Sequence, residues 1–452
     1  FWLKLTSFFA FFVPASAVMQ LLNIASAFSA GAIPGLEERL LAIAQNKSQQ
    51  YNCSFSIAFD DGTNKLAVAA GTTDFSTQRQ ADSTDLYAWG SITKMITGAS
   101  ILKLVGEGKF GLDDPVPALV DPMLKKMAAT DPSQNFTSVE DIWGSNITTT
   151  TVRELLAMKS GVPDFDTAMC YSPSGKSVCK DPLRADLYSE PGKDHPPAEL
   201  MSVDWVRGQW RPCTGKFMCY SSTNFMLLGL VLAQQAGVDT WDALKQGEFL
   251  PQALRDELQF AAHGSPRSLQ AVHGYDRTSY NMPENTTNDQ DVVDVHGVFS
   301  GWTASDVVAS APAVARLTQA LYGEAAIAPA DMVAKMVPNP LGIYGLATFN
   351  LGFQSGQKGK YGKAYGHLGA TYGYQSVAAH FPALNFSITI ATNLETDTQA
   401  QPGDGLCFTY NAAAGAVLGQ DITCSYEASG YYSGACKCTP ISGEEGSDVV
   451  VV

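Results

Sequence analysis

The segments of this chain with strand character lie near its two ends, on either side of a middle that reads mainly as helices and long loops. "SFSIAFDDGTNKLAVAAG" (54–71) reads as two strands around a turn at Asp60-Asp61-Gly62. "YGLATFNLGFQ" (344–354), "TYGYQSVAAHF" (371–381) and "NFSITIATN" (385–393) are further strand candidates. Before the first strands, "GLEERLLAIAQ" (35–45) carries apolar residues at helical spacing. Between about 110 and 295 the clearest helices are "TTVRELLAMKSGVPDF" and "NFMLLGLVLAQQAG". Segments 163–198 and 263–295 are rich in Pro, Asp, Asn and Ser and read as surface loops framing a cleft. "TASDVVASAPAVARLTQALYG" (303–323) reads as a helix.

Charge narrows the partners. The net charge is −15, which argues against nucleic acid, because neutralising phosphates needs a basic surface. No block of like charges marks a membrane-binding patch. Residues 1–30 differ from the rest, with a single lysine, an apolar core at 8–13 and small-residue patterns at 15–17 and 28–30. They predict a secretory signal peptide, the alternative being a retained membrane anchor. Sequons at Asn46, Asn52, Asn135, Asn146, Asn285 and Asn385 agree with a secreted product, although Asn52 and Asn385 fall in expected strands. Nine cysteines (Cys53, Cys170, Cys179, Cys213, Cys219, Cys407, Cys424, Cys436, Cys438) also fit an oxidising compartment, and the odd count leaves at least one unpaired within the chain. Cys436-Lys437-Cys438 is a weak metal pattern without a nearby histidine and reads instead as disulfide partners. The tail from about 426 to 452 contains cysteines and ends in "GEEGSDVVVV", expected to be disordered.

Two local patterns need context before they mean anything. Gly106-Glu107-Gly108-Lys109-Phe110-Gly111 matches a dinucleotide fingerprint, but it follows a helix instead of a strand and reads as a helix terminus. Ser-x-x-Lys occurs at Ser91/Lys94, Ser100/Lys103, Ser177/Lys180 and Ser355/Lys358. Only Ser91 sits where extended chain turns into an apolar helix, with its own N–H among the unpaired donors of the first turn. Lys94 lies one turn on, on the same face, and burial there would lower its pKa toward the range of a general base. No G-x-S-x-G elbow is present, so an α/β-hydrolase is disfavoured.

Four motifs in order resemble the serine β-lactamase-related family of class C β-lactamases, penicillin-binding proteins and related esterases. They are "WGSITKMITGASILKLVGEGKFGLDDPV", "TTVRELLAMKSGVPDF", "PCTGKFMCYSSTNFMLLGLVL" and "YGHLGATYGYQS". The resemblance covers roughly residues 33–395. It implies an α+β fold in which an antiparallel sheet combines the strands of both ends and is flanked by helices. A mainly helical region covers one side. The expected hydrolase domain spans 31–425, its α/β part about 31–88 and 297–425, its helical part about 89–296. The resemblance makes Ser91 the nucleophile, with Lys94 and Tyr220 sharing general acid/base work, and places His367 and Gly369 in a His-x-Gly motif beside them, His367 as a further catalytic residue and Gly369 in substrate binding. The N–H groups of Ser91 and Ala370 would form the oxyanion hole. Where the family usually has Tyr-x-Asn this chain has Tyr220-Ser221-Ser222, so Ser222 replaces a longer amide in substrate binding. Asn224, two residues on, is not taken as its substitute.

The expected function is a secreted serine hydrolase acting through an acyl-enzyme on small-molecule esters or small amides. No metal or organic cofactor is implied, and no stable membrane association once the signal is cleaved. The alternatives are a β-lactamase or D-amino-acid peptidase and, in a different class, a catalytically weak binding scaffold, which the Ser222 departure motivates.

Overall fold

The strands from the two ends of the chain join in one sheet. The structure is a computed structural model and describes residues 33–166, 169–171, 178–214, 218–279, 289–430 and 433–442. Segment 1–30, the Cys170 and Cys179 side chains, Asn285 and the chain end after 442 therefore lie outside the described residues. Strands β1 (Phe55–Asp60), β2 (Lys65–Ala70), β3 (Phe349–Asn350), β4 (Tyr365–Thr371), β5 (Tyr374–Phe381) and β6 (Phe386–Thr392) form a sheet in the order β3-β4-β5-β6-β1-β2. Every pairing in it is antiparallel. The junction of the two ends is the β1–β6 pair, with Phe55 opposite Thr392 and Ile57 opposite Ile390.

Both faces of this sheet are covered, so β1, β5 and β6 are buried along their whole lengths. The two-residue period of a strand divides their side chains between two cores. Phe55, Ile57, Phe59, Ile388 and Ile390 pack with Leu36 and Leu40 of helix α1 (Leu36–Tyr51) and with Leu406 and Tyr410 of the long helix 400–418. Ala58, Ala378 and Ala391 face the other way, toward Trp89, Ile92 and Met95. These small residues leave room on that face for the turn Gly90–Ile92 and for the helix Ala311–Thr318. Helices α2 (Thr93–Gly106) and α3 (Thr223–Ala236) are buried nearly all round, as their apolar composition requires.

Several local expectations need correction. Segment 344–354 yields only the two-residue β3 and a 3₁₀ turn at Gly352–Gln354. Ala347 has φ 55°, and a Cβ on Gly345 would lie 2.1 Å from the Met336 carbonyl oxygen, so the extended run is broken. Segment 303–323 is not one helix. Val307–Ser310 is a strand paired with Leu86–Ala88 and Gln259–Phe260, and helix α4 (Ala311–Thr318) starts only there, with Pro312 in its first turn. Segment 163–198 contains helix Pro182–Ser189 and the start of helix Pro197–Ser202. Helix α5 (Ala400–Leu418) and the hairpin of β7 (Cys424–Gly430) with β8 (Ser433–Cys438) are additional. Asn52 and Asn385 lie in turns, not strands, with φ 50° and 48°, which asparagine tolerates better than most residues. Asn46, Asn52, Asn135, Asn146 and Asn385 are all exposed. After α2, Gly108 has φ 72° and Lys109 donates to the Leu104 carbonyl, the helix terminus expected for the glycine run. No helix of the described residues is long and apolar enough to cross a membrane.

Candidate active site

The site begins where the short strand Leu86–Ala88 ends. Trp89 is buried and its Nε1 donates to the Ala309 carbonyl (2.9 Å), so the chain leaves the strand at a fixed point. Gly90 has φ 53° and carries the backbone into a 3₁₀ turn, Gly90–Ile92, that runs straight into α2. Ser91 sits on this turn with its side chain half-buried, and Lys94 on the first turn of α2 is fully buried.

Lys94 Nζ donates to Ser91 Oγ (2.8 Å) and to the Ala304 carbonyl oxygen (3.0 Å). The Tyr220 and Phe225 rings also lie nearby, with centroids 5.2 Å and 5.7 Å from Nζ. Burial is the main reason its pKa falls from the usual lysine value to about 8, while the charges of Asp166 and Asp164 act in the opposite direction. Tyr220 Oη donates to Ser91 Oγ from the other side (3.0 Å). Ser91 Oγ thus receives two hydrogen bonds, from a lysine of lowered basicity and from a phenol.

Tyr220 is held by an interlocked pair of loops. The Cys213–Cys219 disulfide closes the segment before it, and Cys219 N–H donates to the Met158 carbonyl (2.8 Å). Ser221 Oγ donates to the Pro163 carbonyl (3.1 Å), and the Ser222 N–H donates to Asp164 (2.9 Å). Ser222 is buried and its hydroxyl bonds to Asp166, so it turns toward the carboxylates and is not open to the cleft. Asn224 faces away from the site, with its Oδ1 accepting from Ser160 Oγ (2.6 Å).

Strand β4 supplies the opposite wall. Gly90 packs against the Ala370 peptide so closely that a Cβ on Gly90 would lie 2.4 Å from the Ala370 oxygen and 2.9 Å from its nitrogen. Gly369 is equally constrained, since a Cβ there would lie 2.2 Å from the Trp89 carbonyl oxygen. Ser376 Oγ donates to that same Trp89 carbonyl (3.0 Å), and Thr371 Oγ1 to Val298 O (2.7 Å). The Ser91 and Ala370 peptides are therefore brought side by side.

His367 lies on the same strand face as Gly369 but is fully buried in an aromatic cluster. Its Nε2 bonds to Tyr344 Oη (3.0 Å) and its ring lies 4.7 Å from Phe349 and 6.4 Å from Tyr220. Burial and the nearby Lys94 lower its pKa to about 3. The imidazole is thus neutral and backs the tyrosine instead of touching Ser91.

Asp164, Asp166 and the Ala304 carbonyl were not singled out by the sequence reading. Asp164 and Asp166 hydrogen-bond to each other, and burial, then the Asp164 charge, pushes the Asp166 carboxyl well above its ordinary range. The signal was present in "PDFD", two acids flanking a buried phenylalanine, one residue beyond the Ser-Gly of the second motif.

The chain is similar to known proteins in sequence and in fold. The family model described as Beta-lactamase matches residues 40–406. Penicillin-binding protein 4* of Bacillus subtilis is 21% identical over 336 residues, which is 73% of this chain and 65% of that protein, so the chain spans less than two thirds of that relative. Among solved structures, a D-stereospecific amidohydrolase from Streptomyces sp. aligns with a TM-score of 0.60 and 19% identity, covering 85% of this chain and 99% of that one. The D-amino acid amidase of Ochrobactrum anthropi SV3 complexed with D-phenylalanine aligns at 0.61 and 16%, covering 84% and 99%. An octameric penicillin-binding protein homologue from Pyrococcus abyssi aligns at 0.60 and 19%, covering 85% and 78%. At these identities the structural matches establish the fold.

Proposed function

The chain belongs to the Beta-lactamase family, and from that premise we propose that it hydrolyses small esters and amides through an acyl-enzyme on Ser91. The observation that carries this reading is Ser91 Oγ held between Lys94 Nζ at 2.8 Å and Tyr220 Oη at 3.0 Å. Neutral Lys94 takes the Ser91 proton as Oγ attacks the substrate carbonyl, and Tyr220 relays a proton to the leaving group. The N–H groups of Ser91 and Ala370 receive the oxyanion, whose charge develops only in the transition state. Water then attacks the acyl-enzyme with the same groups in reversed roles.

Charge around the site supports acyl groups without a carboxylate. A permanent cation beside the tyrosine would suit the carboxylate of a β-lactam or peptide, but His367 is neutral and buried. The Asp164–Asp166 pair on the other side adds negative charge near Lys94. Neutral esters require no anion anchor, and an alkoxide leaves more readily than an amine. A second reading is an amide or ester whose acyl part carries an ammonium group. The acidic pair favours it, and the relatives described as D-amino acid amidase and D-stereospecific amidohydrolase make it specific. Five exposed sequon asparagines and the Cys213–Cys219 disulfide support passage through the secretory route.

The test is kcat/KM for a neutral p-nitrophenyl ester, a D-amino-acid amide and a chromogenic cephalosporin. The ester is expected to lead and the cephalosporin to trail, with His367→Lys narrowing the gap. Preferential cephalosporin hydrolysis by the wild type overturns the substrate assignment while leaving Ser91 in place.

A further inference from the structure

Four of the nine cysteines meet where α5, the β7–β8 hairpin and the loop after β3 come together. Cys407 on α5 is bonded to Cys436 on β8. Cys438 Sγ lies 2.7 Å from Cys424 Sγ, 3.4 Å from Cys436 Sγ and 3.9 Å from Cys407 Sγ. The spacing of Cys436 and Cys438 is the reason they converge, because residues two apart on a strand project from one face. Gly356, with φ 68°, makes room for them. A Cβ there would lie 2.6 Å from Cys436 Sγ and 2.7 Å from Cys438 Sγ.

Two chemistries fit four convergent sulfurs. The sulfurs of Cys407, Cys424 and Cys438 lie within 4.8 Å of one another, a spacing that a thiolate-bound metal ion also accepts. A tetrahedral site needs four reduced ligands with metal–sulfur distances of about 2.3 Å. The Cys407–Cys436 bond removes two of the four and leaves a pair that cannot enclose an ion.

The remaining pair has the backbone geometry of a cross-strand disulfide. Cys424 stands opposite Cys438 in the hairpin register. The neighbouring pair, Thr423 and Thr439, is hydrogen-bonded, with Thr439 N–H donating to Thr423 O (2.9 Å). Pairs alternate along an antiparallel ladder, so Cys424 and Cys438 form a non-hydrogen-bonded pair, for which Cα atoms are about 4.5 Å apart. That falls inside the range a disulfide spans, about 4.4–6.8 Å.

We propose that Cys424 and Cys438 form a second disulfide beside Cys407–Cys436, and that the two together bolt the C-terminal hairpin to α5. The reaction needs a disulfide co-reactant, such as a protein disulfide oxidase or a low-molecular-weight disulfide. The Cys438 thiolate attacks it, forming a mixed disulfide and releasing one thiol. The Cys424 thiolate then displaces the second thiol and closes the bond. Two protons leave the protein thiols, and the co-reactant is reduced by two electrons to two thiols. The bond closes the open end of the hairpin, and Cys407–Cys436 ties that end to the helix. Loop 355–357 is held between them, with Gln357 Nε2 donating to Asn411 Oδ1 (2.7 Å) and to Thr439 O (3.0 Å). That loop follows β3, whose Phe349 stacks beside Tyr220, so the bolt also steadies the outer wall of the site.

Peptide mapping of the full chain from a secreting host tests this. The folded protein is alkylated without reduction, denatured, and cleaved at Asp421, Glu427 and Lys437, which puts each of the four cysteines on its own fragment. The fragment carrying Cys424 is expected to be linked to the one beginning at Cys438, and both to be unalkylated. In Cys424→Ser, Cys438 is expected to become alkylatable while the Cys407–Cys436 link persists. The converse is expected for Cys438→Ser, and a Cys424→Ser/Cys438→Ser double variant that still folds by circular dichroism guards against a folding artefact. Alkylation of both Cys424 and Cys438 in the wild type overturns the proposal. So does a Cys407–Cys438 or Cys424–Cys436 link, or about one equivalent of zinc by elemental analysis.

Discussion

Gly90 rests directly against the peptide of Ala370, with no space for a side chain between them. A Cβ on Gly90 would sit 2.4 Å from the Ala370 oxygen and 2.5 Å from its carbonyl carbon, and Gly90 itself has φ 53°. This contact sets the separation of the two N–H groups proposed to bind the oxyanion. Gly90→Ala is expected to push β4 away and to lower kcat by about 10²–10³, the cost of losing one oxyanion donor. The acylation rate measured with a p-nitrophenyl ester checks it. A variant with wild-type kcat would remove Ala370 from the oxyanion hole.

Lys94 must be neutral to accept the Ser91 proton, and its pKa lies at about 8. Activity is therefore expected to climb about tenfold per pH unit below this value and to level above it. The kcat/KM profile between pH 5 and 10 measures the limb. Lys94→Ala is expected to cost about 10²–10⁴ in rate, and the loss in a Lys94→Ala/Tyr220→Phe double variant is expected to fall far short of the product of the single losses.

Arg184 clamps the turn between β4 and β5 from behind. It is buried and pairs with Asp181 (2.9 Å), Asp276 (2.6 Å) and Glu395 (2.7 Å), and Glu395 in turn accepts the Gly373 N–H (3.0 Å). Arg184→Met leaves three acidic groups buried without their cation. It is expected to lower stability by about 3–5 kcal/mol, the scale for breaking a buried ion pair from one side. Urea unfolding measures it, and a loss under about 1 kcal/mol would mean that the acids find other partners.

Two buried histidines predict acid lability. Burial holds the His367 pKa at about 3 and the His380 pKa at about 4, both below the ordinary histidine value of about 6.5. Below pH 6.5 the unfolded chain takes up protons that the folded chain refuses, so their contribution to stability is present above 6.5 and is lost as pH falls toward the folded values. Between pH 7 and 5 each histidine is expected to cost on the order of 2 kcal/mol. Denaturant unfolding of wild type and His380→Gln at both pH values isolates one share. An unchanged difference between the two pH values in the variant would contradict it.

What could be read from the sequence divides along physical lines. β1 and β6 carry dense β-branched and aromatic residues, β2 follows the clear turn at Asp60-Asp61-Gly62, and β5 is bounded by Gly373 and Pro382, so all four were legible. Ser91, Lys94 and Tyr220 were legible because a helix start and motif order set them apart from three other Ser-x-x-Lys pairs. Helix α5 was not, because Pro402, Gly403, Gly405 and Gly415 weaken its local propensity, and burial against β6 and α1 overrides that weakness. Val307–Ser310 was hidden inside a helical pattern because its strand partners, Leu86–Ala88 and Gln259–Phe260, are far away in sequence. The Asp166–Ser222 bond joins two segments that no local pattern connects. The neutral state of His367 depends on burial that a motif does not reveal.

The proposed hydrolysis rests on Ser91 as the nucleophile, activated by Lys94 and Tyr220. Labelling with a fluorophosphonate probe, followed by mass-spectrometric mapping of the modified peptide, tests it most directly. A single adduct is expected on Ser91, none in Ser91→Ala, and labelling slowed about 10²–10⁴-fold in both Lys94→Ala and Tyr220→Phe. An adduct on another residue, or undiminished labelling of Ser91→Ala, would contradict it.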